Sequence, residues 1–137
     1  MTASFGSDSP GGAPLVQAYV PAGFPSPADD YLEGSLDLNE YLVRHPAATF
    51  FVRVRGDSMT GAGIHSGDLL VVDRSLEPRG NSVVIAGVEG ELTVKRLLKR
   101  GGKTYLAPEN ADFVPIEVGE ESGLEIWGVA VAVIHRL

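Results

Sequence analysis

Apolar and polar residues alternate along much of the chain after residue 48. Within Thr49–Arg55, the apolar side chains of Phe50, Val52 and Val54 lie on one face, and Arg53 and Arg55 lie on the other. A period of two residues is typical of a β-strand with one buried face. Leu69–Asp73 is almost wholly apolar, which is the pattern of a strand buried on both faces. This part of the chain is therefore predicted to be mainly β.

Further strands follow, separated by short polar turns. Ser82–Val88 and Glu91–Leu97 flank Glu89-Gly90, a dipeptide that predicts a hairpin turn. Three more strand-like segments lie at Thr104–Ala107, Phe113–Val118 and Leu124–Ile134. Short strands at close spacing predict an antiparallel fold, either barrel-like or made of coiled antiparallel β-sheets. The sequence contains no internal repeat and no helix-turn-helix pattern.

One short helix is predicted before the first of these strands. Asp37 can cap its N-terminus, and Glu40, three residues later, can complete a capping box. His45-Pro46 ends the helical pattern, because the residue before a proline disfavours helical geometry. One face of the helix is apolar, at Leu38, Tyr41 and Leu42. We expect this face to pack and to carry no chemistry.

Residues 1–34 have the composition of a flexible arm. Gly, Ser, Pro, Ala and Asp dominate, and there is no Lys or Arg. A β-prone stretch, Leu15–Val20, precedes Pro21-Ala22-Gly23. An extended apolar segment that ends in two small residues can enter a protease cleft as a strand. The alternative is a disordered tail with a chance apolar patch. The predicted division is an arm over residues 1–34 and a β-rich domain over residues 35–137.

Composition excludes several classes of protein. The 137 residues are 44% hydrophobic, as expected of a single globular domain, and none is cysteine. Disulfides, thiolate metal sites and a cysteine nucleophile are therefore excluded. The three histidines, at positions 45, 65 and 135, are scattered and predict no metal site. No cofactor is expected.

Charge and hydropathy indicate where in the cell the protein is expected and which partners it can bind. The net charge of −7 argues against binding to DNA through its phosphates, so we expect any role near DNA to act through protein partners. No apolar run approaches the ~20 residues that span a membrane. The N-terminus lacks the basic and apolar regions of a signal peptide. We therefore expect a cytoplasmic protein without membrane contact.

Two residues can carry chemistry. Ser58 follows a strand and Gly56, in a turn that can project its hydroxyl and leave the amides of Asp57 and Ser58 available as an oxyanion hole. A serine is a weak nucleophile until a base removes its proton, and a neutral lysine can be that base. Lys95 lies inside an apolar strand, where burial disfavours the ammonium form. Without burial, a neutral lysine at pH 7 would cost about 4–5 kcal/mol. Alone, each is an ordinary turn or strand residue.

Together, these features resemble the LexA/UmuD family of self-cleaving Ser-Lys proteases, peptidase family S24. The resemblance covers nearly the whole chain from Gly23 and is strongest to the UmuD-like members. It rests on Gly56-Asp57-Ser58-Met59, Ile64-His-Ser-Gly67-Asp68-Leu-Leu-Val-Val-Asp73, Thr93-Val94-Lys95, Gly23–Tyr31 and Asp37–Pro46.

The resemblance implies a role for each matched residue. Ser58 would be the nucleophile, Lys95 the general base and Asp57 a backbone contributor to the oxyanion hole. The cut would fall between Ala22 and Gly23. UmuD-like proteins commonly have Cys-Gly there, so the dipeptide of this chain is of the LexA form. We expect Asp68 and Asp73 to fix turns and backbone around the cleft, with no part in proton transfer, and Met59 to pack.

The resemblance also implies a setting. UmuD-like proteins act in the bacterial SOS response to DNA damage, where a filament of RecA on single-stranded DNA stimulates self-cleavage. The trimmed homodimer then joins a UmuC-like Y-family polymerase subunit for error-prone translesion synthesis.

Three alternatives are weighed against this interpretation. A LexA-type repressor needs a DNA-binding domain of roughly 60–80 residues before the cut, whereas residues 1–22 contain no basic residue, so this chain could only be a fragment of one. A signal peptidase shares the Ser-Lys chemistry but needs a membrane anchor. A non-enzymatic β-domain that only binds partners would retain Ser58 and Lys95 as relics.

Overall fold

The computed structural model describes residues 12–16, 20, 22–23, 32–119 and 123–137. The chain forms two compact units, Met1–Arg44 and His45–Leu137. The boundary between residues 34 and 35 remains a prediction. Among the helices of the described residues, none has the length and apolar character needed to cross a membrane.

The first unit contains a two-stranded antiparallel sheet. Strand β1 (Ala13–Val16) pairs with β2 (Leu32–Leu36), with an irregularity in register between Leu15 and Val16. Strand β1 overlaps the predicted β-prone stretch, of which residues 17–19 lie outside the described residues. Strand β2 was not predicted, because its Gly and Ser have low strand propensity. Residues 32–36 are extended because they form backbone hydrogen bonds with β1.

The one α-helix among the described residues, α1 (Leu38–Leu42), follows β2. The predicted N-cap is confirmed, since the Asp37 carboxylate accepts hydrogen bonds from the amides of Asn39 (2.9 Å) and Glu40 (3.4 Å). The predicted packing of the apolar face is wrong for two of its side chains: Leu38 is 58% exposed and Tyr41 64%. A helix of five residues makes little more than one turn, so it presents no continuous apolar stripe.

The second unit is built on one seven-stranded antiparallel sheet. Its strands are β3 (Thr49–Arg53), β4 (Leu69–Asp73), β5 (Val83–Val88), β6 (Glu91–Arg100), β7 (Lys103–Ala107), β8 (Ile116–Val118) and β9 (Glu125–Ile134). Their spatial order is β3-β4-β9-β5-β6-β7-β8. The predicted fold class, mainly β with antiparallel sheets and one short α-helix, is confirmed.

Most predicted strands are observed, with changes at their ends. Strand β4 has the predicted bounds, and the hairpin between β5 and β6 turns at Glu89 (φ 51°) and Gly90 (φ 83°). Positive φ at both positions is what this tight turn requires. The strand predicted over Phe113–Val118 begins only at Ile116, since Pro115 has no amide hydrogen for the ladder. Two short 3₁₀ helices, Pro46–Ala48 and Thr60–Ala62, were not predicted.

The sheet carries an apolar cluster on each face. Neighbouring residues of β5 face opposite ways, so Ile85 joins one cluster and Val84 the other. The buried members of the first cluster are Val54, Met59, Ile64, Leu70, Val72 and Ile85. Those of the second are Val84, Ala86, Leu97, Leu106 and Val129. Both faces of the central strands are therefore covered, which explains their nearly continuous apolar sequences.

Strand β6 changes partners along its length. Residues 91–96 pair with β5, and residues 96–100 pair with β7 on the other side. Within the described part of the chain, no strand pairs with residues 91–95 on the edge away from β5. Lys95 lies just before the β7 pairing begins. The sheet therefore opens beside Lys95, and this opening positions the candidate site.

Two buried aspartates hold the ends of β4. The Asp73 carboxylate accepts hydrogen bonds from the Ser75 amide (2.8 Å) and hydroxyl (2.6 Å), and it lies 2.6 Å from His45 Nδ1. The Asp68 carboxylate accepts from the His65 amide at 2.8 Å. Hydrogen bonds from Ser75 and His45 lower the pKa of Asp73. Both aspartates fix turns, as predicted.

Candidate active site

The loop that carries Ser58 is held at its base and anchored by one buried side chain. The Val54 amide donates to the Asp68 carbonyl across the loop at 2.8 Å. Gly56 has φ +96°, a left-handed conformation that favours glycine, and it redirects the chain after β3. Met59 is 2% exposed and packs in the first apolar cluster, as predicted. The loop conformation is therefore fixed on both sides of Ser58.

A segment after β7 braces the same loop. The Glu109 amide donates to the Ser58 carbonyl at 2.8 Å, and the Gly61 amide donates to the Glu109 carbonyl at 2.6 Å. Asn110 donates from Nδ2 to the Asp57 carbonyl at 2.8 Å. Sequence reasoning missed Glu109 and Asn110, because in the sequence they are ordinary residues of a polar turn. Only the fold shows that they hold the serine loop.

Lys95 reaches Ser58 from β6. Its Nζ lies 3.1 Å from Ser58 Oγ, 2.9 Å from Thr93 Oγ1 and 3.0 Å from the Val94 carbonyl oxygen. A neutral amine has two N–H donors and one lone pair. The donors can satisfy Thr93 and Val94, which leaves the lone pair to accept the Ser58 hydroxyl proton. Sequence reasoning pointed to Ser58 and Lys95, and the fold brings them within hydrogen-bonding distance.

Burial favours the neutral form of Lys95 that proton transfer from Ser58 requires. Desolvation lowers the pKa of the Lys95 ammonium from its ordinary value. A lower pKa increases the neutral fraction near pH 7, and only the neutral amine can act as a base. The site therefore combines a short distance with burial that keeps more of the amine in the neutral form, the form that can accept a proton.

Two backbone amides beside the serine are available to an oxyanion. Among the described residues, no acceptor is found for the amide of Asp57 or of Ser58. The Asp57 carbonyl is held by Asn110. Because the peptide group is planar and trans, this bond also fixes the direction of the Ser58 N–H. A preoriented donor of this kind can stabilise negative charge on a substrate carbonyl oxygen.

The Ser58–Lys95 pair lines a cleft between the end of β3 and the first half of β6. The cleft has a volume of about 360 Å³. Its apolar lining includes Val52, Val54, Met59, Ile85 and Leu92. A second cavity of about 480 Å³ lies beside it, sharing Leu92, Thr93 and Lys95. The surroundings can take an extended peptide with small apolar side chains.

The predicted cleavage dipeptide lies in the first compact unit, whereas Ser58 and Lys95 lie in the second. Ala22 and Gly23 are exposed and occupy a bend. A Cβ built on Gly23 would meet no atom within 4 Å, so the backbone there is accessible. Residues 24–31 of the predicted motif lie outside the described residues.

Comparisons with known proteins agree on one family. The Peptidase S24-like family model matches residues 14–131. Protein SamA of Salmonella typhimurium is 52% identical over 124 residues, which cover 90% of this chain and 86% of SamA. Protein MucA of Escherichia coli is 48% identical over 125 residues, covering 90% and 83%. The LexA repressor of Shewanella piezotolerans is 44% identical over 126 residues, covering 91% of this chain and 60% of the repressor.

Proposed function

The chain belongs to the Peptidase S24-like family, and on that premise we propose that it is a serine endopeptidase that cuts its own arm between Ala22 and Gly23. Ser58 is the nucleophile and Lys95 the general base. The observation that carries this proposal is the 3.1 Å distance between Lys95 Nζ and Ser58 Oγ. The lowered pKa of Lys95 supports it.

The reaction follows from the positions of these groups. Neutral Lys95 takes the proton of Ser58 Oγ, which attacks the carbonyl carbon of Ala22. The amides of Asp57 and Ser58 stabilise the negative oxygen that forms. Lys95 then gives the proton to the nitrogen of Gly23 as the peptide bond breaks, leaving an ester on Ser58. Water, deprotonated by Lys95, hydrolyses that ester and releases residues 1–22.

The open edge of β6 is the proposed binding surface for the arm. Residues 91–95 have no strand partner on that edge among the described residues, and they lie beside the cleft. An extended peptide can add to such an edge through backbone hydrogen bonds. Alanine at position 22 suits a small pocket, and Gly23 adds no side chain to the leaving segment.

The proposed trigger and partners come from the family resemblance. A RecA filament on single-stranded DNA stimulates cleavage, and the trimmed protein serves a UmuC-like Y-family polymerase in error-prone translesion synthesis. The net charge of −7 supports a role through protein partners without direct DNA contact. A filament that binds the docked arm conformation better than the undocked one would accelerate cleavage by shifting their populations.

Intact mass spectrometry tests the cut and its trigger. We expect purified protein incubated with RecA, ATP and single-stranded DNA to lose residues 1–22, because the filament favours docking of the arm. Samples lacking any one of the three additions should react more slowly. An unchanged mass in the complete mixture, and also at pH 10 without filament, would contradict self-cleavage at this site.

The proposal includes a homodimer formed through β9. Four of its apolar side chains are exposed: Trp127 (41%), Val131 (44%), Val133 (39%) and Ile134 (38%). So many exposed apolar residues on one strand are typical of an interface.

We expect sedimentation to show a dimer at micromolar concentration and Val131→Asp to weaken dimerisation at least about 10-fold, since a buried unpaired charge costs more than ~1.4 kcal/mol. Val114→Asp is the matched control, because Val114 is 77% exposed and lies outside β9. A monomeric wild type would refute the dimer, and unchanged association of the Val131 variant would exclude this surface.

A further inference from the structure

Two of the three histidines converge on one buried carboxylate. His135 Nδ1 lies 2.6 Å from Asp68 Oδ1, and His65 Nδ1 lies 3.8 Å from Asp68 Oδ2. The two imidazole rings are 5.3 Å apart between centroids and tilted by 44°. The sequence predicted no metal site because these residues are widely separated. The sheet brings the end of β9 beside the turn that precedes β4.

We propose that His65, Asp68 and His135 bind one divalent transition-metal ion, for which Zn²⁺ is the probe. One ligand atom from each residue lies within 4.8 Å of the others. Two atoms bound to the same tetrahedral Zn²⁺ at ~2.0–2.1 Å are about 3.3 Å apart. The two imidazoles approach different oxygens of the carboxylate, His135 at Oδ1 (2.6 Å) and His65 at Oδ2 (3.8 Å). Small side-chain rotations would bring all three atoms to a common ion.

The three side chains would contribute differently to such a site: one is a fixed ligand and two are free to rotate. Asp68 is 4% exposed, and its carboxylate is oriented by the His65 amide at 2.8 Å, so it provides a fixed ligand. The side chains of His65 and His135 are 51% and 49% exposed, so they can rotate toward an ion that arrives from solvent. Two imidazoles and one carboxylate match the ligand preferences of Zn²⁺, with solvent available for a fourth position.

The ion would join two distant parts of the second unit. His65 and Asp68 belong to the loop segment that follows Ser58, and His135 follows β9 directly. Binding would therefore restrain the C-terminal end of the segment between Ser58 and β4, whose N-terminal end is the proposed nucleophile. This site is separate from the Ser58–Lys95 pair and does not depend on the proposed proteolysis.

The chain contains its own control for this site. His45 Nδ1 lies 2.6 Å from Asp73, the same distance as His135 from Asp68. Asp73 has Ser75 as its other side-chain partner, where Asp68 has a second histidine. Within the described residues, His65, Asp68 and His135 form the one group of three ligand side chains close enough for a shared ion. The effect of removing His45 therefore shows what a histidine–aspartate pair contributes to metal binding without a third ligand.

The experiment is an isothermal calorimetric titration with Zn²⁺ at pH 7.5. The sample is the uncut protein without a tag, from which metal has been removed. We expect one ion per chain with a Kd below about 10 µM, and at least about 10-fold weaker binding, or ~1.4 kcal/mol, for His65→Ala and for His135→Ala. The control His45→Ala should bind as the wild type does. Co²⁺ provides a second readout, since its visible absorption should appear in the wild type and weaken in the same two variants.

Other outcomes would overturn the proposal. If Zn²⁺ shows no saturable binding with a Kd below 100 µM, which corresponds to a binding free energy on the order of −5 kcal/mol, the site is excluded. Equal losses in His45→Ala and His65→Ala would indicate non-specific histidine binding. Because a variant could lose binding by unfolding, far-UV circular dichroism without metal accompanies each titration. His65→Gln keeps the side-chain size, and wild-type affinity in this folded variant would also refute the assignment.

Discussion

Ser58→Ala is expected to abolish removal of residues 1–22 and to leave the fold unchanged. The substitution deletes the hydroxyl whose Oγ lies 3.1 Å from Lys95 Nζ. It keeps the backbone bond from the Glu109 amide to the Ser58 carbonyl, and the buried Met59 anchor. Without a nucleophile the rate should fall by at least about 1,000-fold, whereas stability should change little.

The measurement is a time course of intact mass, with thermal unfolding of the same samples. Ser82→Ala is a matched control: the Ser82 hydroxyl accepts a hydrogen bond from the Arg79 amide and has no lysine partner. This control should retain the wild-type cleavage rate. A purified Ser58→Ala protein that still loses its arm at the wild-type rate would mean that another group attacks the peptide bond.

Lys95→Arg should be equally inactive, at every pH from 7 to 10. The pKa of a guanidinium is so high that arginine stays protonated throughout this range and cannot accept a proton from Ser58. In the wild type without activator, cleavage should accelerate by up to about 10-fold per pH unit below the pKa of Lys95 and level off above it. The rate is expected to rise with pH because only the neutral amine of Lys95 can accept the proton of Ser58. Burial lowers the Lys95 pKa, so the rise should begin at a lower pH than for an exposed lysine.

The pH profile is measured by the initial rate of arm loss in buffers of equal ionic strength. Lys99→Arg is the matched control, because Lys99 lies on the same strand and is exposed. This variant should reproduce the wild-type profile. A flat wild-type rate between pH 7 and 10 would count against a lysine base, as would measurable cleavage by Lys95→Arg.

The same burial has a cost in folding stability. Because the Lys95 pKa is lower in the folded protein than in the unfolded chain, the unfolded chain binds the proton more tightly. The resulting destabilisation is full below the folded pKa and is relieved as the pH rises toward the unfolded pKa. At neutral pH, the burial of Lys95 therefore lowers the stability of the fold, a cost that the proposed role of Lys95 as a base would explain.

The sequence by itself determined the local elements. Alternation predicted β3, a continuous apolar run predicted β4, and Glu89-Gly90 predicted the β5–β6 hairpin. These predictions succeed because strand periodicity, turn chemistry and capping act over a few residues. The motifs around Ser58 and Lys95 likewise identified the candidate pair from the chain alone.

Tertiary structure decided what depends on distant contacts. Strand β2 exists through its pairing with β1, and β9 lies between β4 and β5 although it is last in the chain. The brace formed by Glu109 and Asn110 has no local signal, and neither has the meeting of His65 with His135. Each arises because sheet pairing joins segments far apart in sequence, and a local residue pattern carries no information about which distant strand will become its neighbour.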